Sequence, residues 1–136
     1  MEAHISIRFF RHDISEGRKS IHEAVSGLIG KPNKVWEKGV KPKIGIVPSE
    51  DGFAYELSPI KTRHVEYELE SLLERVGKIK SDIEIALDHS YDALLNIAVY
   101  TAGQVNPGIL LNSRAIQLLS EWEEMQFDID IYPTDD

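Results

Sequence analysis

Apolar and polar positions alternate along residues 5–10: Ile5, Ile7 and Phe9 are separated by Ser6 and Arg8, and Phe10 follows. A period of two predicts a strand with one apolar face. After a polar turn at 12–17 the period changes. From about Arg18, Ile21, Ala24, Val25, Leu28 and Ile29 recur at helical spacing until Gly30 and Pro32 stop the helix. Residues 43–47 and 53–57 read as two strands joined through 48–52, a hairpin whose Gly52 can take a positive φ. Val65, Leu69, Leu72, Leu73 and Val76 continue in step with Ile79, Ile83, Ala86 and Leu87. They trace one long amphipathic helix from Arg63 or, as Gly77 favours, two helices with a break between them.

A mostly apolar run over 91–101 suits a central strand, and 103–108 reads as a loop. Asn112 or Ser113 caps a last helix with Ala115, Ile116, Leu119 and Trp122 on one side. Phe127, Ile129 and Ile131 then alternate with Asp128, Asp130 and Tyr132 in a closing strand. The order β-α-β-β-α(α)-β-α-β predicts an α+β fold over residues 1–136, one domain without repeats. Its form is a two-layer sandwich, a mostly antiparallel five-stranded sheet with helices on one face. The first six elements have the ferredoxin-like order.

Composition narrows the function classes. The chain has no cysteine, which removes disulfides and thiolate metal sites. Its first residues lack the basic start and apolar run of a signal peptide, and the apolar patch at 93–102 is half a membrane span. A cytoplasmic location is the expectation. The net charge of −8 conceals a split: residues 1–48 carry nine Lys/Arg against five Asp/Glu, and residues 49–136 carry six against eighteen. The overall field disfavours nucleic acid and anionic membranes as partners. The acidic portion suits a basic protein partner, and the opposed charge of the two portions, with open sheet edges, would support a homodimer.

Several stretches in register carry a family likeness. These are "SIRFF" before Asp13, the helix end at 28–32, Trp36 and Gly39 in "VWEKG", "HVEYELESLLERV" at 64–76 and "FDIDIYP" at 127–133. With these in order over nearly its whole length, the chain resembles the bacterial domain of unknown function family 4279. In the second hairpin strand such proteins often carry a tryptophan, and Tyr55 in "AYELS" takes that place here. The resemblance implies the fold and supplies no catalytic residues.

The candidate chemistry lies first around Trp36. Pro32 and Pro42 restrict its segment and Gly39 permits a tight turn. Val35 and Trp36 are expected to fold back over the end of the helix–sheet core, with Lys31, Lys34, Lys38 and Lys41 keeping the outer side hydrated. The competing reading makes the indole a stacking platform. His4, His12, His22, His64 and His89 show no metal-ligand spacing, so neither a metal nor a cofactor is expected. Glu66, Glu70 and Glu74 form a row opposite the apolar stripe and are expected in solvent, and Arg8 or Arg11 would pair with Asp128 and Asp130 if the fold brings them near. Nucleophile-elbow, phosphate-loop and dinucleotide motifs are missing from the chain. The leading expectation is a non-catalytic protein-binding module of the immunity or antitoxin kind. The alternative is a small-molecule or anion-binding module whose pocket near the Trp36 loop draws on Arg8, Trp36, Lys38 and Tyr55. An enzyme ranks last, and would need His12 to meet an acid in a deep cleft.

Overall fold

The computed structural model describes residues 2–12, 17–61, 65–102 and 111–134. The turn at 13–16, His64 and the loop at 103–108 lie outside them. Alternation builds β1 (Glu2–Arg11), whose Ala3, Ile5, Ile7 and Phe9 are buried on one face. Ser20 caps α1 (Ile21–Ser26) by accepting from the Glu23 amide at 3.2 Å, satisfying a donor that the first turn leaves free. The helix stops at Gly27, earlier than its apolar spacing suggests, and Ile29 lies in solvent beyond it. β2 (Lys34–Trp36) and β3 (Asp51–Ile60) follow. α2 (Val65–Gly77) buries Val65, Leu69, Leu72, Leu73 and Val76. Its first turn is acidic and its last carries Arg75, both favourable to the helix dipole. Gly77 ends it, and α3 (Lys80–Ala86) starts after a tight turn in which the Ile79 amide donates to Val76. The long apolar pattern is thus two helices. β4 (Tyr91–Ala102), α4 (Ser113–Ser120), capped by Asn112, and β5 (Met125–Thr134) complete the chain.

The class is α+β with a mixed sheet. The described strands lie in the order β2-β3-β1-β4-β5. β1 pairs antiparallel with β3 and β4, and β3 pairs antiparallel with β2. β1 and β2 flank β3, and β3 and β4 flank β1, so two β-α-β units interleave. β5 runs parallel to β4, a departure from an antiparallel sheet. The cause is α4, which returns the chain to the end where β4 began.

Residues 43–47, expected as a strand, are irregular, and β3 pairs instead with Lys34–Trp36. Pro42, Pro48 and a Gly45 at φ +109° interrupt any ladder there. Gly52 is therefore no turn residue. It sits in β3 without positive φ.

All the large buried apolar groups of β1, β3 and β4 face the helices. Phe9 centres an aromatic cluster, its ring 5.4 Å from Phe53, 6.0 Å from Tyr91 and 5.3 Å from Trp122. Trp122 is the tryptophan that seals this core, with the Lys80 ammonium 5.7 Å from its ring. On α4 the buried positions are Ala115 and Leu118, whereas Ile116, expected inward, is exposed. Among the described residues no helix is long and apolar enough to cross a membrane.

Candidate ligand-binding cleft

Side-chain parity in β2 decides where Trp36 goes. Val35 pairs with Phe53 and packs against the core, so Lys34 and Trp36 project from the opposite, helix-free face of the sheet. Trp36 is consequently half-buried and does not plug the core. Its indole lies over Gly52 and against Phe10, with ring centroids 5.8 Å apart. The absence of a side chain at 52 is what admits the ring: a Cβ there would stand 2.5 Å from Trp36 Cζ2 and 2.5 Å from the Phe9 carbonyl oxygen.

The segment 37–50 then folds back over this face. Its base is held by the Gly39 amide donating to Pro48 O at 3.0 Å, with Gly39 at φ +79°. The Lys38 amide donates to Asp51 Oδ1 at 2.7 Å. Asp51 in turn binds the Arg11 guanidinium, and both side chains are buried. Arg11 also donates to Lys19 O at 3.0 Å. One buried ion pair therefore ties the start of the loop, the ends of β1 and β3, and the lead into α1 together.

Between the returning loop and the sheet lies a cleft of about 460 Å³. Phe10 and Trp36 form one side, and Ile46, Val47 and Pro48 the other. Lys34 and Glu56 pair at 3.2 Å on its rim, and Asn33 fixes that rim by accepting from the Glu56 amide at 2.7 Å. Arg8 also lines it, exposed, and among the described residues makes no ion pair or hydrogen bond. An unpaired guanidinium beside two aromatic rings and an apolar wall is a site for an anionic group attached to a flat, apolar body. A second hollow of about 500 Å³ lies on the helix side beside Arg11 and Arg18. Of its three cations Arg11 is neutralised by Asp51 and Arg18 by Asp88 at 3.0 Å, and Lys19 is exposed.

Of the four residues expected to line a site, the fold brings Arg8 and Trp36 together and leaves two elsewhere. Tyr55 is on the core face, where its hydroxyl donates to Gly30 O at 2.8 Å. Burial pushes its pKa up to about 12. Lys38 contributes its amide to Asp51, and its side chain is exposed outside the cleft. Phe10, Gly52 and Pro48 were not legible as site residues, although a glycine opposite a tryptophan in a paired strand is a usable signal.

The remaining candidates resolve individually. His12 meets Asp92 at 2.5 Å, but both side chains are more than two-fifths exposed, so this is a surface pair. Glu70 and Glu74 are not simply solvated: Glu70 accepts from Asn112 and Glu74 pairs with Arg114 at 3.4 Å, joining α2 to α4. Asp128 and Asp130 share the Asn96 amide nitrogen, at 3.4 and 2.9 Å, in place of an arginine. Among the described residues no group of three His, Asp or Glu side chains is placed to hold a metal ion.

No curated protein and no solved structure matches the chain. A family model does, from the last residue of β1 to the last residue of β5. Over residues 11–134, which include Trp36 and residues 46–48 but neither Arg8 nor Phe10, the chain belongs to the family described as domain of unknown function DUF4279.

Proposed function

We propose that the protein is a non-catalytic binding module whose ligand is a small anion with a flat apolar body, held between Trp36 and residues 46–48. The observation that carries this reading is Arg8, a cation without a partner among the described residues, in a cleft with aromatic and aliphatic walls that Lys34, Ser49, Glu50 and Glu56 also line. The rings supply area and stacking, and the guanidinium fixes the anionic end in a fork of donors. An immunity-like role draws support from net acidity, which by itself selects no partner. The unpaired cation favours capture of an anion at this site.

The test is binding of a planar aromatic carboxylate such as 2-naphthoate, followed by thermal shift and by NMR of the two indole N–H groups. At a hundred times its dissociation constant the probe adds about 2.7 kcal/mol of stability. The Trp36 resonance is expected to move while that of buried Trp122 stays. Arg8→Ala removes a hydrogen bond to a charged group and should weaken binding roughly 10- to 100-fold. A flat response across a panel of aromatic carboxylates and phosphates would retire the reading. So would binding that survives both Arg8→Ala and Trp36→Ala.

A further inference from the structure

At the far end of the sheet from the cleft, β5 has only one strand neighbour among the described residues. Every second residue of a strand points its N–H and C=O to one side, so the outer side of this ten-residue strand carries a row of backbone groups without a ladder partner among the described residues. Its side chains are sorted by face. Phe127, Ile129 and Ile131 continue the row of Leu95, Ile97 and Val99, but no helix makes extensive contact with β5. They remain 38%, 37% and 51% exposed, whereas their β4 neighbours are buried. On the other face Asp128 and Asp130 stand beside Asn96, which donates to both, and among the described residues neither acid has a cationic partner.

We infer that β5 is a docking edge for an extended protein segment that alternates apolar residues with lysine or arginine and adds to the sheet as a further strand. Main-chain hydrogen bonds supply the pairing, the 127/129/131 row takes the apolar side chains, and the two aspartates select the charge on the other face. A second copy in the central register is disfavoured as the occupant. Two β5 strands pairing about a two-fold axis near Ile129 would bring together Asp128 of one protomer and Asp130 of the other, twice, and like charges directly opposite destabilise a sheet. Charges on an exposed strand also guard it against indiscriminate pairing. Here the guard is of one sign, so it turns away acidic and self-like strands and admits basic ones.

The experiment uses a synthetic peptide of alternating valine and lysine, with a scrambled peptide of equal composition in which the lysines are contiguous. Titration of the full chain by NMR, with hydrogen exchange of the β5 amides, is the readout. The alternating peptide is expected to bind and to slow exchange specifically along β5, and the scrambled one to bind at least tenfold more weakly. Each lysine–aspartate pair across a sheet contributes a factor of about 1.4–5. D128K/D130K, which turns attraction into repulsion, should therefore weaken binding by roughly tenfold or more. Because that variant also loses the Asn96 bonds, a swapped peptide of valine and glutamate provides the control: it should bind D128K/D130K and not the parent. Equal binding of the scrambled peptide, protection away from β5, or failure of the charge swap would overturn the proposal. So would a β5-mediated dimer of the free chain in sedimentation. None of these outcomes touches the cleft two strands away.

Discussion

Replacing Gly52 by alanine tests the central contact of the cleft directly. Gly52 does not have a positive φ, so alanine is free to adopt its backbone conformation and the cost is steric. The new Cβ would lie 2.5 Å from Trp36 Cζ2, 2.6 Å from Cε2 and 2.5 Å from the Phe9 carbonyl oxygen. Carbon–carbon contacts are optimal near 3.5–4.0 Å, so both approaches to the indole are about 1 Å too short, and the approach to the carbonyl oxygen is also closer than packed atoms stand. The indole can swing out, at the expense of its contact with Phe10. The carbonyl belongs to the β1 backbone and moves only if the strands separate. Overpacking of this kind costs about 1–3 kcal/mol. With an unfolding entropy of about 2.1 cal/mol/K per residue, roughly 0.29 kcal/mol/K for the whole chain, Tm should fall by about 3–10 °C. Urea denaturation of Gly52→Ala, Trp36→Ala and the double variant separates the two contributions. Part of the Gly52→Ala cost should vanish in the Trp36→Ala background, a coupling of about 0.5 kcal/mol or more. A variant within about 0.5 kcal/mol of the parent, or one whose cost is the same with and without the indole, would refute the packing of Trp36 on Gly52.

Two further outcomes follow from groups buried near the same strands. Asp51→Ala leaves the Arg11 charge buried without its partner and the Lys38 amide without an acceptor, so urea denaturation should show a loss of about 3–5 kcal/mol, and a loss under about 1 kcal/mol would mean that the pair is solvated. Burial holds the Tyr55 pKa at about 12 against an ordinary 10.0. Tyr91 is also raised to about 12, by burial first and then by Glu84. Between pH 10 and 12 the unfolded chain has therefore released phenolic protons that the folded chain retains. Stability is fully present below pH 10 and falls as pH rises toward 12, and Tyr55→Phe should make that fall shallower.

The elements with a sustained pattern were legible: β1 and α2 bury the residues that alternation or helical spacing selects, β4 forms where the apolar run predicts a central strand, and β5 alternates as expected but leaves Phe127, Ile129 and Ile131 exposed. Lys34–Trp36 carries no period because three residues are too few to show one. Its place in the sheet is decided by β3, where Gly52 and Ala54 leave room for Trp36 and Lys34 on one face and Phe53 meets Val35 on the other. A shift of one residue exchanges those faces, so a tryptophan beside a valine in a short strand could be read as core or as surface with equal ease. The same ambiguity misplaced Ile116: in the eight residues of α4, positions 115 and 118 and positions 116 and 119 both have helical spacing, and only packing against α2 selects the first pair. Arg11 and Asp51 lie forty positions apart, and nothing local announces that they will be register partners.

The sheet order also turns a charge split along the chain into one across the molecule. β2 and the segment after it, with Lys34, Lys38, Lys41 and Lys43, occupy one edge, while β5, with Asp128 and Asp130 and entered through Glu123 and Glu124, occupies the other. Such edges would attract one another between copies, and a head-to-tail contact of that kind does not close into a dimer but extends into a ring or a fibre. Two features oppose it. β2 offers a ladder of three residues against the ten of β5, and Lys34 is already engaged by Glu56. The long acidic edge therefore exceeds anything the described part of its own chain can cover. A basic strand of six or more residues from another protein would complete twice the ladder that β2 could and bring cations free to meet both aspartates.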